Sequence, residues 1–329
     1  MSQPGGHPMS VLHLSLIRGR VLPHFAPDLP FEMALAAALE RLPERAPIVI
    51  LVHGYRYCPS RRETDPHACL FSTDPASQTP RVLRWPGALG FSRRGLEDGL
   101  CIGFGWPAGA QPVTGALPRG FARAYDTAAE AGAALAAIIT AIEALAPGRS
   151  VDLMAHSLGA RVALNAIAAL DRPGIGQVIL LDGAEYRQRA LTLMTGAAAG
   201  AAQIFNVSTP ENALFDLLLT GFGPLPGARP LSAGLSADLP FAFDLRLGEP
   251  VLRPALARRG IAIGPATRPV CHWSVYSRPG AMALYRAILR DRARWSVARL
   301  RAETAADRAG THPDRPDRPQ GWQRPVAQT

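Results

Sequence analysis

The 329-residue chain is 48% hydrophobic and 19% charged, a balance that excludes a disordered or collagen-like protein and leaves room for a sizeable core. Its net charge of +9 comes from 35 arginines and no lysine, with no basic run longer than two residues and no interleaved aromatic platform, so nucleic-acid binding is not expected. The four cysteines (Cys58, Cys69, Cys101 and Cys271) lack CxxC or metal spacing, and the N-terminus MSQPGGHPMS lacks an export signal, so free thiols and a cytoplasmic location are expected.

Residues 11–17 alternate in polarity and predict a strand, and residues 31–42 suit a short amphipathic helix. Ile48-Val-Ile-Leu-Val52 is a continuous run of the kind found in strands buried on both faces, ending in His53-Gly54-Tyr55-Arg56. A polar, proline-containing stretch continues to about residue 80. Residues 100–104 form the next strand, closing on Gly105-Trp106-Pro107, and a long helix spans roughly 120–146. The longest apolar stretch, 128–146, is interrupted by Glu130 and Glu143, so no membrane span is expected.

Residues 151–156 form a strand that runs into Ser157, and a helical pattern leaves at once. Val178–Leu181 is another buried strand, ending at Asp182-Gly183. A helix is expected over 190–201 and a strand over 203–208. Residues 218–270 are rich in Pro, Gly and Leu with weak periodicity; they read as an insertion packing near the site as a partial lid. A helical pattern returns over 279–300. Residues 303–329 are polar and proline-rich and read as a disordered tail, leaving a single domain over 1–302. Strands alternating with helices predict an α/β protein with a mainly parallel sheet flanked by helices, and ligands gather at the carboxyl ends of such strands.

Ser157 stands in Ala155-His-Ser157-Leu-Gly159, on a sharp strand-to-helix turn. Such a turn exposes a hydroxyl beside the unpaired N–H groups of a helix start and leaves no room for bulk two residues away on either side. The bland alternative is an ordinary helix N-cap. A serine nucleophile needs a base, and in a chain built around such an elbow the base follows both serine and acid. Two histidines follow Ser157. His312 lies in the tail, which leaves His272, in Val270-Cys-His-Trp-Ser-Val-Tyr276. For the acid, Glu211 and Asp182 both lie at carboxyl ends of strands, and Asp216 is a weaker third candidate. Each has an alternative role as a turn or cap residue. The oxyanion donors expected are the N–H groups of Leu158 and Tyr55, with His53 shaping the loop.

Together these residues resemble the α/β-hydrolase superfamily over roughly residues 45–290. Within it they are similar to a branch of poorly characterised bacterial esterase/lipase-like proteins. Members carry a Trp-Pro pair after the second buried strand, as Trp106-Pro107 does here, and a Ser-x-x-Asp-x-Ala-Leu segment holding the acid. That segment reads Ser208-Thr-Pro-Glu211-Asn-Ala-Leu214, which ranks Glu211 ahead of Asp182. The resemblance implies the α/β-hydrolase fold and a serine hydrolase acting on a small carboxylic ester or thioester with an apolar group. Ser157, His272 and Glu211 would form its triad, with no metal or organic cofactor. The alternatives are an acyltransferase on the same fold or a non-catalytic binding protein.

Overall fold

The apolar runs pair into one eight-stranded sheet of order β2-β1-β4-β3-β5-β6-β7-β8. Its strands are β1 (Val11–Ile17), β2 (Arg20–Pro23), β3 (Ile48–Val52), β4 (Leu100–Gly105), β5 (Val151–His156), β6 (Ile175–Leu181), β7 (Gln203–Ser208) and β8 (Ala242–Arg246). Only the β1–β2 pairing is antiparallel. The fold is that of a computed structural model, which describes residues 10–74, 83–91, 98–109, 117–250 and 252–309.

Eleven helices accompany the sheet among the described residues: α1 (Phe31–Glu40), α2 (Trp85–Ala88), α3 (Leu117–Leu145), α4 (Leu158–Ala168), α5 (Arg187–Leu193), α6 (Ala197–Ala201), α7 (Ala213–Phe222), α8 (Leu252–Arg258), α9 (Ser274–Ser277), α10 (Ala281–Arg290) and α11 (Val297–Ala309). The period-two alternation of strand side chains divides them between two cores. Ile48, Ile50 and Val52 of β3 meet α1, α3 and α4 on one face. Val49 and Leu51 meet the other core, built from α2, α8, α9, α10 and α11. This double cover is why β3 reads as an unbroken apolar run, all five residues being buried. Val52 is in register with Phe104 and Ala155, so β3, β4 and β5 end level and deliver their following loops to one place.

Several expectations are corrected. Residues 218–270 are not an insertion outside the sheet, because they supply edge strand β8, paired in parallel with β7, together with α8. β8 is short and polar-interrupted (Ala-Phe-Asp-Leu-Arg), which hides its strand character. The helix expected over 279–300 is two helices, separated where Asp291 leaves helical geometry (φ −125°, ψ 68°). α11 runs to Ala309, so the ordered chain passes the expected boundary at 302 by several residues. The rest of the expected tail, 310–329, lies outside the described residues. By length and composition, Gly120–Leu145 of α3 does meet the requirement for a membrane span. In the fold it lies along α4, so close that a Cβ on Gly132 would come 2.6 Å from that of Asn165. Arg123, Asp126, Glu130, Ala133, Ala137, Thr140 and Ala144 form its exposed face at helical spacing.

Candidate active site

Ser157 has φ 55° and ψ −125°, a backbone conformation that costs a non-glycine residue about 1–3 kcal/mol and survives only where its surroundings enforce it. Its N–H donates to the Leu181 carbonyl (3.0 Å), and its own carbonyl accepts from Ala160 (3.0 Å) and Ala184 (2.9 Å). Close packing fixes the elbow from both sides. A Cβ on Gly54 would lie 2.6 Å from that of Ser157, and one on Gly159 would lie 2.6 Å from the Val52 carbonyl oxygen. Although Ser157 precedes α4, its side chain makes no capping hydrogen bond. The ordinary N-cap role is therefore absent, and a strained, nearly buried serine is left with its hydroxyl uncommitted to the helix.

His272 is held beside the elbow. Its backbone carbonyl accepts from His156 Nε2 (3.0 Å), and its ring lies between His156 (centroids 4.6 Å apart) and the stacked ring of Phe215 (4.5 Å). Among the described residues no hydrogen bond joins Ser157 Oγ to the His272 ring, a contact that often tightens only when substrate is bound.

The carboxylate expected to orient His272 is not Glu211 in this structure. His272 Nδ1 is 2.6 Å from Asn212 Oδ1. The Glu211 carboxylate is held instead by Arg278 (2.5 Å) and by Ser274 Oγ (3.1 Å), partners on and just after α9 that draw it away from the imidazole. Only its backbone stays near, its carbonyl accepting from Cys271 N–H (3.0 Å). Asp182 is not at His272 either. It accepts from Thr209 N–H (2.9 Å) and Thr209 Oγ1 (2.8 Å), tying the ends of β6 and β7 together. Asp216 lies one step behind: Asn212 Nδ2 donates to its Oδ1 (3.1 Å), and Ser232 Oγ donates to its Oδ2 (2.6 Å).

This relay sets the protons. A carboxylate can only accept, so Asn212 turns its NH₂ to Asp216 and its oxygen to His272. His272 Nδ1 must then carry the proton, and Nε2 holds the lone pair a base needs. Burial, followed by the neighbouring His156, lowers the His272 pKa well below 6.5, so the ring is neutral at physiological pH.

The loop after β3 supplies the other half. His53 Nδ1 donates to the Gly54 carbonyl (2.9 Å), its Nε2 accepts from Trp106 N–H (3.0 Å), and Trp106 Nε1 donates back to the His53 carbonyl (2.9 Å). The two rings stack within 9° of parallel, which gives Trp106-Pro107 a physical purpose in shaping the loop. Neither the Tyr55 N–H nor the Leu158 N–H donates to any described residue, and both flank the Gly54–Ser157 contact. A cleft of about 450 Å³ lined by Glu44, Arg45, Arg149, Arg290 and Arg292 lies at the opposite, amino-terminal edge of the strands and contains none of these groups.

Residues 32–179 match a family model described as "Alpha/beta hydrolase of unknown function (DUF900)", a span that takes in β3, β4, the elbow and most of β6. The chain has the α/β-hydrolase fold. Among solved structures it is similar to a lipase-esterase related protein from Clostridium acetobutylicum ATCC 824, at 19% identity with a TM-score of 0.22. That likeness covers 44% of each chain, so less than half the length of the solved structure is spanned. No curated protein matches.

Within this α/β-hydrolase fold, sequence reasoning missed Asn212 and His156. Asn212 directly follows the acid candidate in Pro210-Glu-Asn212, and it is this neighbour's side chain, not that of Glu211, that meets His272. The turn at Pro210–Asn212 is a 3₁₀ helix, whose tight winding sends consecutive side chains in different directions. His156 carries no signal in the sequence beyond its place in the elbow, yet its Nε2–H donates to the His272 backbone carbonyl.

Proposed function

We propose that the protein is a serine hydrolase cleaving carboxylic esters or thioesters, with Ser157 as nucleophile, His272 as general base and Asn212 in the orienting position usually filled by a carboxylate. The observation that carries this reading is the strained Ser157 whose side chain does not cap its helix, close to a histidine whose Nδ1 lies 2.6 Å from Asn212 Oδ1, a contact that would leave Nε2 free to act as base. In the proposed cycle Ser157 Oγ bonds to the acyl carbon as its proton passes to His272 Nε2. The carbonyl oxygen becomes an oxyanion between the Leu158 and Tyr55 N–H groups. The C–O or C–S bond then breaks, and the leaving group takes the proton from His272. Water repeats the sequence on the acyl-enzyme and releases the acid.

An apolar substrate group is supported by the surface next to His272. Phe215, which stacks on the His272 ring, and Val270 and Trp273, near neighbours of His272 in the chain, are all more than a third exposed. The test is labelling with a fluorophosphonate probe, together with hydrolysis of p-nitrophenyl esters of graded acyl length. Labelling confined to Ser157, and turnover lost by about 10³-fold or more in Ser157→Ala, is the expected result. Equal turnover by the folded Ser157→Ala variant would refute the assignment.

A further inference from the structure

Three of the chain's eight histidines have no part in the site above, yet lie packed together towards the β1–β2 edge of the sheet. His13 comes from β1, His24 follows β2, and His67 lies on the long loop after β3, two residues beyond Asp65. Their hydrogen bonds run in one direction. His24 Nε2 faces Asp65 Oδ2 (3.1 Å), so its Nδ1 accepts from Ser15 Oγ (3.0 Å). Ser15 Oγ then accepts from His67 Nε2 (2.9 Å), and His67 Nδ1 accepts from His13 Nδ1 (3.0 Å). This run of hydrogen bonds needs no imidazolium, and neutral imidazole is the form that binds metal. Room for the cluster is made by glycine: a Cβ on Gly105 of β4 would lie 2.6 Å from His67 Nε2.

We propose that His24, Asp65 and His67 form a binding site for a divalent ion of the zinc type, which fastens the loop over 58–72 to the end of β2. One ligand atom from each of the three lies within 4.8 Å of the others. Tetrahedral zinc with bonds of about 2.0–2.2 Å holds its ligands roughly 3.3–3.5 Å apart, so the His24–Asp65 pair is already at ligand spacing and a shift of about 1 Å by His67 completes the set. The surrounding bonds are those that orient ligands. With the ion bound, His24 Nδ1–H donates to Ser15 Oγ and frees Nε2. His67 exchanges its Ser15 contact for the ion while its Nδ1–H donates to His13. Asp65 Oδ1 stays on His67 N–H (3.0 Å) and leaves Oδ2 free. The imidazoles change tautomer without gaining or losing protons. Two imidazoles and one carboxylate favour zinc or a similar first-row ion over magnesium or calcium, which prefer all-oxygen sets. The fourth position falls to water.

The inference is independent of the role of Ser157. It is tested on the full chain stripped with chelator, then titrated with Zn²⁺ by calorimetry and with Co²⁺ by visible spectroscopy. One equivalent should bind, with d–d absorption from Co²⁺ and a Zn²⁺-dependent rise in melting temperature. His24→Gln and Asp65→Asn should each weaken binding by about 100-fold or more and remove the d–d bands, while melting cooperatively without metal. If either variant fails to fold, the other decides between the outcomes. No stoichiometric uptake by the wild type, or uptake unchanged in a folded variant, would overturn the site.

Discussion

A neutral imidazole acts on a hydroxyl only through the nitrogen that carries no proton, so the partner of the other nitrogen governs the chemistry. An aspartate in that place fixes the tautomer and also stabilises the imidazolium. An asparagine fixes it only if its amide cannot turn round and offer NH₂ instead. Here Asp216 holds Asn212 Nδ2, so the wrong amide orientation would set oxygen against carboxylate. Under the proposed function, Asn212→Ala should lower kcat by about 10²-fold or more, measured on a p-nitrophenyl ester. Asn212→Asp should retain turnover while changing its pH dependence. Because His272 is held well below 6.5, the wild-type acid limb of kcat/KM should lie below 6.5. A carboxylate at 212 favours the imidazolium, raises that pKa and moves the limb to higher pH. Glu211→Gln separates the two neighbours. It should leave the pH profile in place and reduce stability by about 3 kcal/mol, seen in denaturant unfolding, because the buried Arg278 loses its counter-charge.

At the scale of elements, the elbow depends on how closely β3, its loop and α4 approach, and that closeness is set by two hydrogen atoms. Gly54→Ala drives a methyl group into Ser157 Cβ, and Gly159→Ala drives one into the Val52 and His53 carbonyl oxygens at 2.6 and 2.7 Å. Neither obstacle is the flexible end of a side chain, so each variant should lose about 1–3 kcal/mol in denaturant unfolding and lose fluorophosphonate labelling with it. Gly221→Ala, in exposed α7 with open space around it, should instead gain up to about 1 kcal/mol. The contrast shows which parts of the fold were legible in sequence. β3, β4 and the Val178–Leu181 part of β6 announce themselves because central strands must be apolar on both faces, and the elbow because its neighbours must be small. β8 stayed hidden because an edge strand is free to carry Asp244 and Arg246. The His272 partner stayed hidden because the choice between Glu211 and Asn212 was made elsewhere: Arg278, more than sixty residues away, takes the carboxylate and leaves the amide for the histidine.

At the scale of the whole molecule, His53 and His156 are placed where their charged form is poorly solvated. His53 lies under the loop after β3 with both ring nitrogens committed, and His156 is enclosed at the end of β5 with its Nε2 on the His272 carbonyl. Burial lowers both from 6.5 to about 4, with hydrogen bonds to backbone carbonyls resisting only in part. In the unfolded chain the same residues titrate near 6.5, so between about 6.5 and 4 the unfolded state binds more protons than the native one. Stability must therefore fall as pH falls through that window. The contribution is whole above 6.5, declines as the unfolded chain takes up protons first, and is exhausted near 4, where the native rings also protonate. Each histidine accounts for on the order of 3 kcal/mol across the window. Denaturant unfolding at pH 7.5 and pH 4.5 should show a large loss of stability at the lower pH. His53→Gln, whose amide takes up no proton in this range, should flatten the slope by about the share of one histidine, even though the variant is less stable at pH 7.5. An unchanged slope in that variant would mean that His53 is not buried in its neutral form, and the loop carrying Tyr55 would lose the two hydrogen bonds that define its shape.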